Sequence, residues 1–169
     1  FYQRTQNVDI VVESVLVRDK KRALKMGIPE ENVAGNIAEV IANPNVDIVI
    51  ECIGGVEAAK DYVLAALHEG KTVVTSNKEL ICKYSHELER TARRNCCGLY
   101  FEASCVGGVP IIRTLLDGVQ GNCISEMMGI INGTTNFILT KMAEENEDYG
   151  SALKEAPVSY THLTLPTTE

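Results

Sequence analysis

Several short stretches bring charged, hydroxyl, amide and glycine residues together: VRDKK (Val17 to Lys21), ECIGG (Glu51 to Gly55), TSNKE (Thr75 to Glu79), EASCVGGVP (Glu102 to Pro110) and NGTTNF (Asn132 to Phe137). In TSNKE, Ser76, Asn77 and Lys78 offer hydrogen-bonding groups and an ammonium that can orient a carboxamide or a substrate oxygen. A lysine held near a second cation and partly desolvated gives up its proton more readily and becomes useful in proton transfer; left in water it is an ordinary surface residue. In EASCVGGVP, the Glu102 carboxylate and the carbonyls of a glycine turn are hard oxygen ligands, suited to a monovalent or alkaline-earth cation rather than zinc. The same carboxylate can instead cap the next helix. Arg18 presents a planar fork for a phosphate, or belongs to a solvated charge cluster at a helix start. Gly54 and Gly55 admit close approach of a ligand to the backbone, although glycine pairs also end many strands. NGTTNF is a natural N-cap whose exposed amides can hold a carboxylate, and equally a plain cap. Cys105 offers a thiol nucleophile, but no His lies near it in sequence to activate it.

The elements that must position these groups alternate. IVVESVLVRD (Ile10 to Asp19) reads as a strand, KKRALKMGIP as a short helix closed by Gly27 ahead of Pro29, and NIAEVIANPNV as a helix stopped at Asn43-Pro44. Val46 to Gly55 is a β-rich run ending in glycines, VEAAKDYVLAALHEG an amphipathic helix with Gly70 at its end, and KTVVTSNKEL a strand running into a polar loop. HELERTARRN is again helical, and GLYFEASCVGGVP again strand then turn. Successive strand-helix-strand units predict a parallel sheet with right-handed crossovers, the doubly wound α/β class. Beyond Pro110 the texture changes: IIRTLLDGVQG reads as a helix, and ISEMMGIINGTTNFILTKMAEE as a strand, a polar turn and a helix. The expected organisation is an incomplete Rossmann-type sheet over 1–120 followed by the start of an α+β substrate and dimerisation domain over 121–155. Residues 156–169, rich in Thr, Leu and Pro and without periodicity, are similar to translated adaptor sequence and are set aside as a non-native tail.

Doubly wound sheets bind ligands across the carboxyl ends of their strands, where most of these loops fall. Arg18, directly after the first strand, then sits where an adenosine ribose is read, and tilts the expected cofactor toward NADP while leaving NAD open. A formal charge of -7 argues against nonspecific binding to nucleic acid or an anionic membrane, because both need clustered Lys and Arg. Six cysteines without a CxxC pair or zinc spacing read as reduced, cytoplasmic thiols, and no apolar run approaches the roughly 20 residues of a membrane span. The expected partner is a small molecule.

In their order and spacing, VLVRD, ECIGG, TSNKEL, FEASCVGGVPIIRTL and GIINGTTNFILTKM resemble homoserine dehydrogenase from Val15 to about Glu155. That resemblance implies NAD(P)H-dependent interconversion of aspartate 4-semialdehyde and homoserine by a homo-oligomer, in the biosynthesis of threonine, methionine and isoleucine. It places Arg18 at the 2′-phosphate of NADPH, Ile53 and Gly54 on the nicotinamide side with Ser76 and Asn77, and Lys78 as the active-site lysine. It gives Glu102, with the carbonyls of Cys105, Gly107 and Val109, to a structural sodium ion, and Gly133 and Thr134 to the substrate. Cys105 and Val106 depart from the family pattern, which has valine and a small residue there. No GxGxxG fingerprint occurs before Ile10, and the family's second catalytic lysine lies downstream of the NGTTN helix, so the chain is read as an inactive fragment. The rival readings are an acylating semialdehyde dehydrogenase with Cys105 as nucleophile, and a non-catalytic nucleotide-binding module.

Overall fold

The computed structural model describes residues 8–107, 109–130 and 132–160, with 157–160 given by their backbone alone. The described residues fall into two compact units divided after Arg113, ahead of the boundary expected at Gly121. The Glu102 carboxylate fastens the helical turn Ile111–Arg113 to the first unit by accepting from the amides of Ile112 and Arg113 at 2.9 and 2.8 Å.

Every strand pair in the first unit is parallel, as the alternation of elements predicts. β1 (Val15–Leu16) leads into α1 (Lys20–Lys25), whose N-terminus is capped by the Asp19 carboxylate on the amides of Lys21 and Arg22. Gly27 then leaves the helix at φ 86°, a left-handed conformation that glycine takes without steric cost. β2 (Val33–Ala34) pairs with β1, and α2 (Ile37–Ala42) follows with Asn36 as its N-cap. β3 (Ile48–Glu51), α3 (Glu57–His68), β4 (Thr72–Thr75), α4 (Lys78–Arg94) and β5 (Leu99–Tyr100) complete a sheet in the order β3-β4-β5.

The core of this unit lies on one face of that sheet, where Val63 and Leu67 of α3 meet Leu80 and Leu88 of α4 over Val73 of β4, all essentially inaccessible to water. Lys60 on α3 fastens the helix pair from outside: its ammonium lies 2.9 Å from Glu87 and 4.1 Å over the ring of Tyr84, both on α4. The opposite face carries Ile48, Ile50 and Tyr100, exposed to 56%, 70% and 62%.

Some elements differ from the sequence reading. The first strand is two residues long rather than ten, and Ile10, Val11 and Val12 are exposed. β1–β2 and β3–β4–β5 are separate sheets, because no strand among the described residues hydrogen-bonds to both. α4 begins at Lys78, so the polar loop expected after the strand is a cap at Asn77 and a helix start. Residues 124–130 form no strand, and Met127, Met128 and Ile130 are exposed.

In the second unit, α5 (Gly133–Glu144) packs on α6 (Tyr149–Tyr160) through Ile138, Ala152 and Ala156. The helix runs on into residues 156–160, which the sequence reading set aside with the rest of the tail, and Ala156 packs one turn after Ala152. Residues 161–169 lie outside the described residues. Lys141 of α5 bridges Glu145 at 2.8 Å and Glu155 of α6 at 3.4 Å.

Asp148 opens α6 by accepting from the Gly150 and Ser151 amides and the Ser151 hydroxyl. Those bonds, the Ser151 hydroxyl first, hold its carboxyl below the ordinary value of 3.8. A carboxylate lowered in the folded state contributes stability that is complete above its unfolded value and disappears as pH falls through the folded one. Helicity of α6 is therefore expected to decline in acid, below pH 3.8, and an Asp148→Asn chain is expected to lose that step in a circular-dichroism pH titration.

Candidate functional site

The carboxyl ends of β3 and β4 lie side by side because Glu51 is in register with Thr75. At that edge a polar network closes over the loops that follow the two strands. Glu51, only 5% exposed, accepts from the Ile53 amide at 2.8 Å through one carboxylate oxygen and from the Thr75 hydroxyl at 2.5 Å through the other. The Thr75 hydroxyl in turn accepts from the Asn77 amide at 3.0 Å. The Asn77 side chain donates to the Gly55 carbonyl at 2.6 Å and accepts from the Leu80 amide at 3.1 Å, which caps α4. The sequence reading named Asn77 as a cofactor ligand; its carboxamide is engaged inside the protein, holding one loop to the other. Glu51 was not singled out, although a carboxylate as the last residue of an apolar strand was its signal.

What this network leaves exposed is the surface of the loops. Gly54 and Gly55 adopt φ of 69° and 71°, and a Cβ at either would meet nothing within 4 Å, so their backbone is open to a ligand. Ile53 is 40% exposed beside them, and Ser76 is exposed on the neighbouring loop. Lys78 is the first residue of α4 and is exposed, the surface position that was one of its two sequence readings. A cation there opposes the helix dipole, so local folding gains nothing from it. Arg18 is exposed two residues past β1. Its neighbour Asp19 is committed to capping α1.

In the turn after β5 the Glu102 carboxylate acts as a cap, each of its oxygens accepting one backbone N–H. The Val109 carbonyl accepts from the Ile111 amide at 2.9 Å. One accepted N–H leaves each of these oxygens a further lone pair, so the cap does not decide whether they also hold a cation. Gly107 stands at φ 61° and Val106 at φ 46°, a left-handed conformation costly for a β-branched residue and one that a smaller residue would take at less cost. Cys105 is partly buried, with its Sγ 3.5 Å from the Ser104 hydroxyl, and no imidazole bonds it among the described residues.

In the second unit, Asn132 caps α5 by accepting from the Thr135 amide at 2.9 Å. Gly133 and exposed Thr134 form its first turn, beside a shallow hollow lined by Gly129, Ile130, Asn132, Thr135, Asn136 and Leu139.

Comparison with known proteins finds two family models along the chain, "Homoserine dehydrogenase, NAD binding domain" over residues 2–102 and "Homoserine dehydrogenase" over residues 110–160. Homoserine dehydrogenase of Bacillus subtilis is 48% identical over 147 residues, 87% of this chain and 34% of that protein. The crystal structure of a homoserine dehydrogenase from Thiobacillus denitrificans matches with a TM-score of 0.75 at 39% identity, over 88% of this chain and 34% of that one. A hyperthermophilic archaeal homoserine dehydrogenase in complex with NADPH matches with a TM-score of 0.60 at 28% identity, over 88% and 47%. The chain thus spans about a third of the length of its bacterial relatives.

Proposed function

Since the chain belongs to the homoserine dehydrogenase family, we propose that it forms the nicotinamide-nucleotide side of an enzyme that interconverts aspartate 4-semialdehyde and homoserine. The observation that carries this reading is the pair of cross-tied loops at the ends of β3 and β4, which leave the Gly54-Gly55 backbone open beside Ser76 and Lys78. When bound there, a nicotinamide supplies the hydride chemistry. Gly54 and Gly55 admit the cofactor to the backbone, Ile53 offers it an apolar contact, and Ser76 gives it a hydroxyl. Lys78 moves the proton of the substrate oxygen. In the second unit, the start of α5 at Gly133 and Thr134 is the proposed holder of the substrate carboxylate, a helix N-terminus being favourable for an anion. A structural cation, when held, would rest on Glu102 and the carbonyls of Cys105, Gly107 and Val109, and no step passes through it. The working enzyme is proposed to be a cytoplasmic homo-oligomer; its six free cysteines suit a reducing compartment, and no helix among the described residues is long and apolar enough to cross a membrane.

Exchanging this chain for the matching third of the Bacillus subtilis enzyme tests the reading: NADPH-dependent reduction of aspartate semialdehyde supports it, and a correctly folded chimera without turnover refutes it. The preference for NADP rests on Arg18. Arg18→Ala is expected to weaken NADPH about tenfold or more while leaving NADH within about twofold, because only the 2′-phosphate loses its guanidinium partner. Equal losses for both nucleotides would remove Arg18 from phosphate recognition.

A further inference from the structure

We propose that Glu51 and Thr75 are positioning residues that make the Gly54-Gly55 loop and the start of α4 move as one body, and so set where Lys78 stands relative to the cofactor-side backbone. The proposal rests on the functional reading above for its cofactor and on geometry for its mechanism. Glu51, Thr75 and Asn77 are 5%, 0% and 8% exposed, so their polar groups depend on one another rather than on water. The directions of the bonds are fixed in series. The Asn77 amide can only donate, so the Thr75 oxygen accepts from it and turns its hydrogen to Glu51. Glu51 uses its second oxygen to hold the Ile53 amide. The circuit closes from the other side through Asn77 Nδ2 and the Gly55 carbonyl.

The loop between Ile53 and Gly55 is thereby gripped at both ends by residues that belong to β3, β4 and the cap of α4. Its two glycines have no side chains to anchor them, and both take positive φ. Without the grip, that loop has the widest choice of backbone conformations in the neighbourhood. The helix start is held by the same cap, so Lys78 inherits its place from Asn77.

Amide hydrogen exchange of the 169-residue chain and NADPH titration of its Bacillus chimera test this together. In Thr75→Val, the Asn77 amide loses its acceptor directly, and the Ile53 amide, which touches Thr75 only through Glu51, is expected to exchange about tenfold faster as well. Thr75→Ser keeps the hydroxyl and is expected to restore both rates. NADPH affinity is expected to fall about tenfold in Thr75→Val and to return in Thr75→Ser, with Leu88 in mid-helix exchanging as in the parent. Should Thr75→Val not fold, Glu51→Met breaks the circuit by removing both acceptor oxygens at similar volume, and the same pair of amides is read, with Ile53 now losing its acceptor directly. An Ile53 amide that keeps its parental rate while Asn77 speeds up overturns the proposal, because the loops then move separately. Loosened loops with unchanged NADPH affinity overturn it too. A parent chain that exchanges as expected while its Bacillus chimera never binds NADPH refutes the functional reading and leaves the tie to stand on exchange alone.

Discussion

Lys78→Ala in the Bacillus chimera is expected to lower turnover by about a hundredfold or more while changing NADPH affinity by less than about threefold. A positioned general acid or base contributes roughly 10²–10⁴ to rate, whereas an exposed ammonium on the first turn of a helix contributes little to the fold. Two further observations support the assignment. Lys78 stands at the N-terminus of a 17-residue helix, the end where a cation is disfavoured, and it follows directly on the cap residue that ties the two strand-end loops together. Steady-state kinetics with both substrates separates the effects: a loss confined to KM would make Lys78 a binding group, and an unchanged kcat would remove it from the chemistry.

The second large effect is expected in folding. Leu67 is completely buried where α3 meets β4 and α4, and Leu67→Ala is expected to destabilise the first unit by about 3 kcal/mol, within the usual 2–5 kcal/mol for a buried leucine. Leu139, 59% exposed on α5, provides the contrast: Leu139→Ala should stay within about 0.5 kcal/mol. Urea unfolding of both chains measures the difference. A loss below about 1 kcal/mol at Leu67 would mean that the helix pair does not close over β4 as described.

How far the sequence disclosed the site depends on the range of the interactions that build it. Local signals were legible: Gly27 and Gly70 past their helices, Asn132 as a cap, and a β-rich run ending at Gly54-Gly55. Glu102 was readable as cation ligand or cap, and the cap is visible only once the amides of Ile112 and Arg113 are brought to its two oxygens. The Glu51–Thr75 bond joins residues 24 apart and exists because a parallel register sets β3 beside β4; composition and periodicity carry no register. The start of α4 was hidden for a related reason, since Asn77 looks like a loop residue until its side chain is seen accepting from Leu80. The expected strands at Ile10 to Asp19 and near 124–130 had β-type residues but, among the described residues, too few neighbours to bond, and an apolar run without a partner does not make a strand.

The account stands or falls on whether the ends of β3 and β4 receive a nicotinamide nucleotide. Titrating NADPH into the Bacillus chimera, isotopically labelled, while following the amide resonances of this segment tests that directly. The account predicts saturable shifts at Gly54, Gly55, Ser76 and Lys78, with Arg18 responding to NADPH more than to NADH. Shifts that avoid those residues and gather instead on the Arg90, Arg93 and Arg94 face of α4, or no shifts at millimolar nucleotide, would contradict it.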